Sequence, residues 1–464
     1  MAKMRDSIDF SSENIPALYR KVLYPTLLGM IAAVSYTIAD GIFVGQGVGS
    51  EALAAINIAA PLFLVSSGLA LMFGFGGSVT ASIHLANGNE KTAKIVTTQA
   101  MAAAALAQLL ITALSLIFPE QTLRLFGCSD TLMPYAKDYL FGYVPFLVFN
   151  GLMITAEFFV RLDGSPKFAM ASSIIASGIN VFLDYLFIFP LQMGIWGAAI
   201  ATGIGCVIGM IMLVVYLSIP SHKLHFVRFK LTRTGIGLTL RNVGYMCKLG
   251  VSSLISELSV AFLMMCGNFV FIGLCGDPGV AAFSVVCYLF PVVFMVNNSM
   301  GQAAQPIISY NYGLQRSDRT RLALNVSMRT ALIYGVVIVL VSLLGAEWVV
   351  RMFLSPEDQA YPLAVSGLRL FSTGFIPFAV NVIAMSYFQS IERPKAATAI
   401  TILRSFVFMG VAFLILPHLI GIKGAWLAVP VSEILTMLVV LLLLRRPAGA
   451  DNSSESVARK QHIL

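Results

Sequence analysis

Residues 180–184 read Asn180-Val-Phe-Leu-Asp184, and they lie inside an apolar run, 168–190, long enough to cross a bilayer. Side chains four residues apart stack on one helical face, so Asn180 and Asp184 point the same way. A carboxylate within lipid is expensive and marks an ion or proton pathway. A second one, Asp40, sits in the first apolar run, in Tyr36-Thr-Ile-Ala-Asp40-Gly. The surrounding chain is 58% hydrophobic and only 11% charged, against roughly 25% charged in ordinary soluble domains. Its apolar runs have the length of helices, not the short period-two alternation of a barrel. The first run follows a polar segment and carries no small-residue cleavage site, which marks a retained span and not a signal peptide.

Twelve spans are expected, at 22–45, 54–78, 93–118, 135–159, 167–189 and 195–218, then 246–273, 281–305, 322–345, 364–388, 396–418 and 424–444. Residues 1–21 form an N-terminal segment, 219–245 a basic linker between two groups of six spans, and 445–464 a polar tail expected to be disordered. With the N-terminus in the cytoplasm, all of the 30 lysines and arginines except Arg124, Lys137, Arg351, Arg369 and Lys423 fall on the inner side. That bias follows the positive-inside rule, and it accounts for the net charge of +8 without nucleic acid. Both termini are therefore expected in the cytoplasm, and the chain in a bacterial cytoplasmic membrane. The six cysteines show no metal spacing and read as small apolar residues.

The two groups repeat each other. Gly49-Ser-Glu-Ala-Leu-Ala-Ala-Ile parallels Gly276-Asp-Pro-Gly-Val-Ala-Ala-Phe, and Gly194-Ile-Trp-Gly-Ala parallels Gly421-Ile-Lys-Gly-Ala. Leu125-Phe126 likewise parallels Met352-Phe353, and Ser165-Pro-Lys parallels Arg393-Pro-Lys. The near-constant offset implies a duplicated six-helix unit. An even span number keeps the halves in one orientation, related by an axis along the membrane normal. The expected fold is thus an all-α membrane protein, with twelve transmembrane helices in two pseudo-symmetric six-helix lobes, 22–218 and 246–444, around a central cleft. Pro61 and Pro291 occupy nearly matching places. They bend their helices either for function or as ordinary membrane-helix prolines.

Depth counting puts Asp40, Asn180, Asp184 and Thr202 at one level in the outer half of the first lobe, with Tyr36 one turn before Asp40. Two carboxylates, an amide and a hydroxyl can bind a hard monovalent cation, or carry protons. The plainer alternative makes Asp40 a helix-end cap and gives Asp184 a local hydrogen bond. By offset, the second lobe lacks this set: the counterparts of Asp40 and Asp184 are Gly267 or Asn268 and Val411 or Ala412. It has Glu257, expected to face the cleft as a cation-binding or protonatable group, and Arg404 with Glu433, expected as a structural ion pair. Glu157 and Asp163 are read as loop chemistry near the inner end of span 4. The acidic interior favours cationic small-molecule cargo over a polyanion. No phosphate-binding loop is present, so ATP drive within this chain is not expected, nor any cofactor.

Asp40-Gly-Ile-Phe-Val-Gly-Gln with Leu53-Ala-Ala-Ile resembles the first-span signature of the multidrug and toxic compound extrusion (MATE) family. Asp163-Gly-Ser-Pro-Lys, Asn180-Val-Phe-Leu-Asp184 and Gly194-Ile-Trp-Gly-Ala-Ala-Ile-Ala-Thr202 resemble its fifth- and sixth-span block, in wording closest to the MepA-like branch. The resemblance implies a two-lobe exporter driven by inward Na⁺ or H⁺, with Asp40, Asn180, Asp184 and Thr202 as the first-lobe coupling site. Glu257 matches an acidic position that some members pair with an acid in span 10, and 363–389 here holds no Asp or Glu. A secondary transporter acting as a monomer, not an enzyme, is expected. A lipid-linked oligosaccharide flippase of the same superfamily is the alternative, and a channel or scaffold a more distant one.

Overall fold

The computed structural model describes residues 8–228 and 232–445. The tail after 445 and linker residues 229–231 lie outside the described residues. In the first half the helices are α1 (Ile15–Gly47), α2 (Ser50–Ala86), α3 (Glu90–Ile117), α4 (Pro119–Leu125), α5 (Met133–Tyr143), α6 (Leu147–Leu162), α7 (Pro166–Ile188) and α8 (Gly194–Leu217). Then come α9 (Arg233–Gly313), α10 (Ser317–Leu344), α11 (Ala346–Arg351), α12 (Ala360–Ser372), α13 (Phe375–Ser390), α14 (Pro394–Ile402), α15 (Phe408–Ile420) and α16 (Ile422–Arg445).

Among the described residues, ten helices are long and apolar enough to cross a membrane, and the pair α12 and α13, bent by 44°, adds another. The longest of the ten, α9, is two spans. Its chain reverses at Gly276, whose φ of 62° and ψ of −150° are not helical. Phe271 and Phe283 consequently stack with ring centroids 4.8 Å apart. On an unbroken helix twelve residues would separate them by about 18 Å. The chain therefore has the twelve expected spans. It is a multi-pass membrane protein whose backbone polar groups are satisfied inside helices, as the bilayer demands.

The duplication survives in backbone detail. Gly194 and Gly421, at the matching islands, have φ of 62° and 61°. An L side chain there would be strained, which accounts for glycine at both places. Short helix α4 has its counterpart in α11, and each is tied to the next span by an ion pair, Lys137–Glu120 in one lobe and Arg369–Glu347 in the other. The 3₁₀ turn at Val144–Phe146, between α5 and α6, corresponds by offset to the α12–α13 bend.

The packing between the lobes lies toward one end. The end that carries the N-terminal segment and the linker is the basic end; the α1–α2 turn marks the far end. Core packing at the far end is lobe-pure: Val44, Ala55, Leu140 and Ala199 in the first lobe, Phe271, Phe283, Phe371 and Trp426 in the second. At the basic end one core joins Phe75, Val79 and Phe158 to Leu249 of the other lobe. Small residues set how closely helices pack within lipid, where burial alone gives no drive. A Cβ at Gly250 would stand 1.9 Å from the Met72 carbonyl oxygen, and one at Gly76 would stand 2.1 Å from that of Met246. Here α2 and the first arm of α9 touch backbone to backbone.

Two helices start earlier than the hydropathy of their spans shows. Helix α1 begins at Ile15, capped by the Asn14 side chain, and its first turns pack Leu18, Tyr19 and Val22 into the second lobe against Met300 and Ile307. The segment before it is clasped there too. The Phe10 carbonyl accepts from Asn311 Nδ2 at 3.1 Å and the Glu13 carbonyl from Arg319 at 2.7 Å. In that strap, hydrogen bonds from the Ser11 and Ser12 side chains hold the Asp9 carboxyl down at about 2. Helix α9 begins at Arg233, inside the expected linker, and Asn242 and Thr239 hydrogen-bond Gln99 of α3. Polar helix ends that project beyond the apolar slab carry no hydropathy signal.

Gly250→Val tests the closed end. The added methyls cannot coexist with the Met72 carbonyl, so transport should be abolished while membrane insertion stays normal. Unchanged transport in reconstituted vesicles would show that this backbone contact is not part of the working cycle.

Candidate functional site: a buried carboxylate pair beside a two-lobe cleft

Asp184 and Asn180 lie on the buried face of α7, 0% and 2% exposed, and Asp40 of α1 and Thr202 of α8 are each 8% exposed. Helices α1, α7 and α8 pack together in the first lobe, which brings all four expected residues to one place. Asn180 Nδ2 donates to Thr202 Oγ1 at 3.2 Å, and the Thr202 hydroxyl donates to the Ala198 carbonyl at 3.1 Å. That leaves Asn180 Oδ1, both oxygens of Asp184 and Asp40 Oδ1 buried without a hydrogen-bond partner. Asp40 and Asp184 lie within electrostatic reach of each other, and Tyr36 within reach of both. The helix-cap alternative for Asp40 fails, because α1 continues to Gly47.

Three further side chains complete the chamber. Tyr139 and Tyr143 of α5 are 4% and 5% exposed, and Cys206 of α8 lies one turn below Thr202. Tyr139 is in electrostatic reach of Asp40 and Asp184, and Tyr143 reaches the Cys206 thiol. The signal for the tyrosines was present in the sequence: in the expected topology span 4 runs inward, which puts Tyr139 about one turn below its outer end. Among the described residues no three of His, Cys, Asp and Glu gather as a metal group. Two carboxylates with amide and hydroxyl oxygens suit a hard monovalent cation or protons, and not a transition metal.

In the second lobe Glu257 lines a small cavity at the closed floor, together with Phe75, Ser253, Asn298, Gln302 and Met385. Arg404 and Glu433 form the expected pair, Nε to Oε1 at 3.8 Å with side chains 4% and 6% exposed. Asn381, not anticipated, donates to Glu433 Oε2 at 2.7 Å and to its carbonyl at 2.9 Å. Arg404 sits on a π-helical turn, Leu403–Val407, with its guanidinium 4.8 Å from the Phe378 ring centre. Glu157, read as loop chemistry, is instead inside helix α6. Its carboxylate accepts from Ser173 at 2.5 Å and pairs with Arg161 at 3.1 Å. The expected span, 135–159, already contained Glu157; its pairing with Arg161 one turn further on needed coordinates. Asp163 does anchor a loop: Tyr216 and the Leu224 amide donate to its two oxygens at 2.7 and 2.8 Å.

The MatE family model matches residues 25–186 and 253–414, once in each lobe. The chain belongs to the MATE family. It is a transporter and not an enzyme. The chain is 25% identical over 451 residues to a FAD transporter of Shewanella oneidensis, covering 96% of this chain and 97% of that one. It is 24% identical over 429 residues to the multidrug export protein MepA of Staphylococcus haemolyticus, with 91% and 92% covered. In fold it matches an outward-facing multidrug resistance MATE transporter with a TM-score of 0.85 at 22% identity, covering 93% and 95% of the two chains. A MOP superfamily transporter from Pyrococcus furiosus, described as having a pocket of reversed polarity, matches with a TM-score of 0.86, also at 22% identity and 93% and 95% coverage.

Within this MATE scaffold the two polar clusters differ in kind. The first-lobe carboxylates have no cationic partner among the described residues; the second-lobe Glu433 has Arg404. Breaking a buried pair from one side leaves an uncompensated charge at a cost of about 3–5 kcal/mol, while removing both partners is often near neutral. Arg404→Met should therefore lower the thermal midpoint of the purified protein sharply, and Arg404→Met with Glu433→Leu should recover most of it. Loss of transport in a stable double variant would contradict a purely structural pair.

Proposed function

We propose that the chain is a cation-coupled antiporter that exports lipophilic organic cations across the bacterial cytoplasmic membrane, with both termini in the cytoplasm and Na⁺ or H⁺ moving inward in exchange. The observation that carries this reading is the set of partnerless buried oxygens on Asp40, Asn180 and Asp184. A charge out of water without a partner costs several kcal/mol, so such a pair is held in place by the proton or metal ion that satisfies it. Thr202 accepts from the Asn180 amide nitrogen and so holds that side chain in the chamber. The coupling ion and the drug need only bind the lobe arrangements unequally for one gradient to drive the other.

For cargo, Glu257 supplies negative charge to a cavity otherwise lined by hydroxyls, carboxamides and apolar side chains. The two buried arginines nearest the cleft are each engaged by a glutamate, Arg161 by Glu157 and Arg404 by Glu433. This chemistry favours an organic cation over a polyanionic lipid-linked sugar. The FAD transporter of Shewanella oneidensis supports a second reading, export of a dinucleotide.

Proteoliposomes loaded with ethidium, or with FAD, test both. An imposed Na⁺ gradient at fixed pH, or a pH gradient, should stimulate ethidium efflux, and Asp184→Asn at equal incorporation should abolish it. Efflux unchanged in Asp184→Asn would remove that carboxylate from coupling, and efflux of FAD alone would replace the cationic cargo.

A further inference from the structure

At the closed floor a charged side chain reaches across the lobes. Arg161 of α6 donates Nη1 to Gln302 Oε1 of the second lobe at 2.9 Å. Its other bonds stay at home: Nε to the Glu157 carbonyl at 3.0 Å and Nη2 to Glu157 Oε2 at 3.1 Å. The second Glu157 oxygen, Oε1, is held by the Ser173 hydroxyl of α7 at 2.5 Å. Nearby, Ser78 donates to Gln305 Oε1 at 3.1 Å, another bond between the lobes. Gln302 also lines the cavity that holds Glu257, so the latch lies directly under the cleft.

Ser173 connects this latch to the carboxylate pair. Residues 173, 177, 180 and 184 share one face of α7 by helical periodicity, and all four are buried. Eleven residues separate Ser173 from Asp184, about 16 Å of helix. The neighbouring α1 keeps step. A Cβ at Gly29 would stand 3.5 Å from Ser173 Cβ, and Asp40 is again eleven residues further along. The two helices are thus parallel levers, with the carboxylates at one end and the latch at the other.

Resting on the coupling role given to Asp40 and Asp184, we propose that α7 transmits occupancy of their site to the latch through Ser173, Glu157 and Arg161. Glu157 is shared. With Ser173 drawing Oε1 toward α7, the carboxylate presents Oε2 to Arg161 Nη2, and Nη1 turns to Gln302. A shift of α7 by about 1 Å takes Ser173 out of hydrogen-bond range. Both Glu157 oxygens then face the guanidinium, whose fork favours a bidentate carboxylate. Nη1 swings to Glu157, Gln302 is released, and the floor opens. The charge on Arg161 stays compensated throughout, so the lobes part over a neutral carboxamide and not a bare cation.

Hydrogen–deuterium exchange in lipid nanodiscs, with and without the coupling cation, tests this. In the wild type, the cation should alter uptake near 36–40 and 180–184, and should raise it at the floor, 72–80 and 246–254. In Ser173→Ala, floor uptake should already be high without the cation and lose its response, while 36–40 and 180–184 still respond. Ser173→Thr, which restores the hydroxyl, should restore the response, and Gln302→Leu should open the floor regardless of cation. A cation-dependent rise at the floor of Ser173→Ala equal to that of the wild type would overturn the transmission. No response at 36–40 and 180–184 in the wild type would overturn the coupling site itself, and the transmission with it.

Discussion

The burial of Asp184 sets the terms for the rest of the molecule. Its carboxylate is fully enclosed with neither oxygen hydrogen-bonded. A lone charge in that position is affordable only if something mobile compensates it, because a fixed partner such as an arginine would make the site permanent. The second lobe shows the contrast within one chain: Glu433 has its arginine and its asparagine, and is a strut. One lobe therefore carries a buried carboxylate without a cationic partner among the described residues, and the other a paired one.

The duplication explains how this arises without two separate folds. Left-handed glycines, short far-end helices and bent spans recur at matching positions, so the backbone of the six-helix unit is kept. The intramembrane side chains are not. The offset that carries Gly194 to Gly421 carries Cys206, at the base of the first-lobe chamber, to Glu433. Chemistry thus changed at places where the scaffold tolerates polar groups. Contact between the lobes depends on small residues of α2 and the first arm of α9, and glycine there sets how closely the basic end can shut.

Much of this was legible in the sequence. Span number, duplication and the Asn180–Asp184 face follow from hydropathy, offset and helical period, and depth counting brought Asp40 and Thr202 to the same chamber. Two kinds of feature escaped. Helix that extends past the apolar slab gives no hydropathy signal, which hid the start of α1 at Ile15 and the start of α9 at Arg233. Pairwise contacts between distant segments are also invisible in one chain, so Asn381 beside Glu433 and Arg161 beside Gln302 needed coordinates. Tyr139 falls between these cases: its depth was countable, but its approach to the carboxylates needed coordinates.

The most direct measurement is equilibrium binding of a fluorescent organic cation to the purified protein in nanodiscs, across pH and Na⁺ concentration. Antiport through the buried pair requires cargo and coupling ion to oppose each other's binding. The account predicts that cargo affinity falls as one of the two ions is raised. Affinity indifferent to both pH and Na⁺ would contradict it.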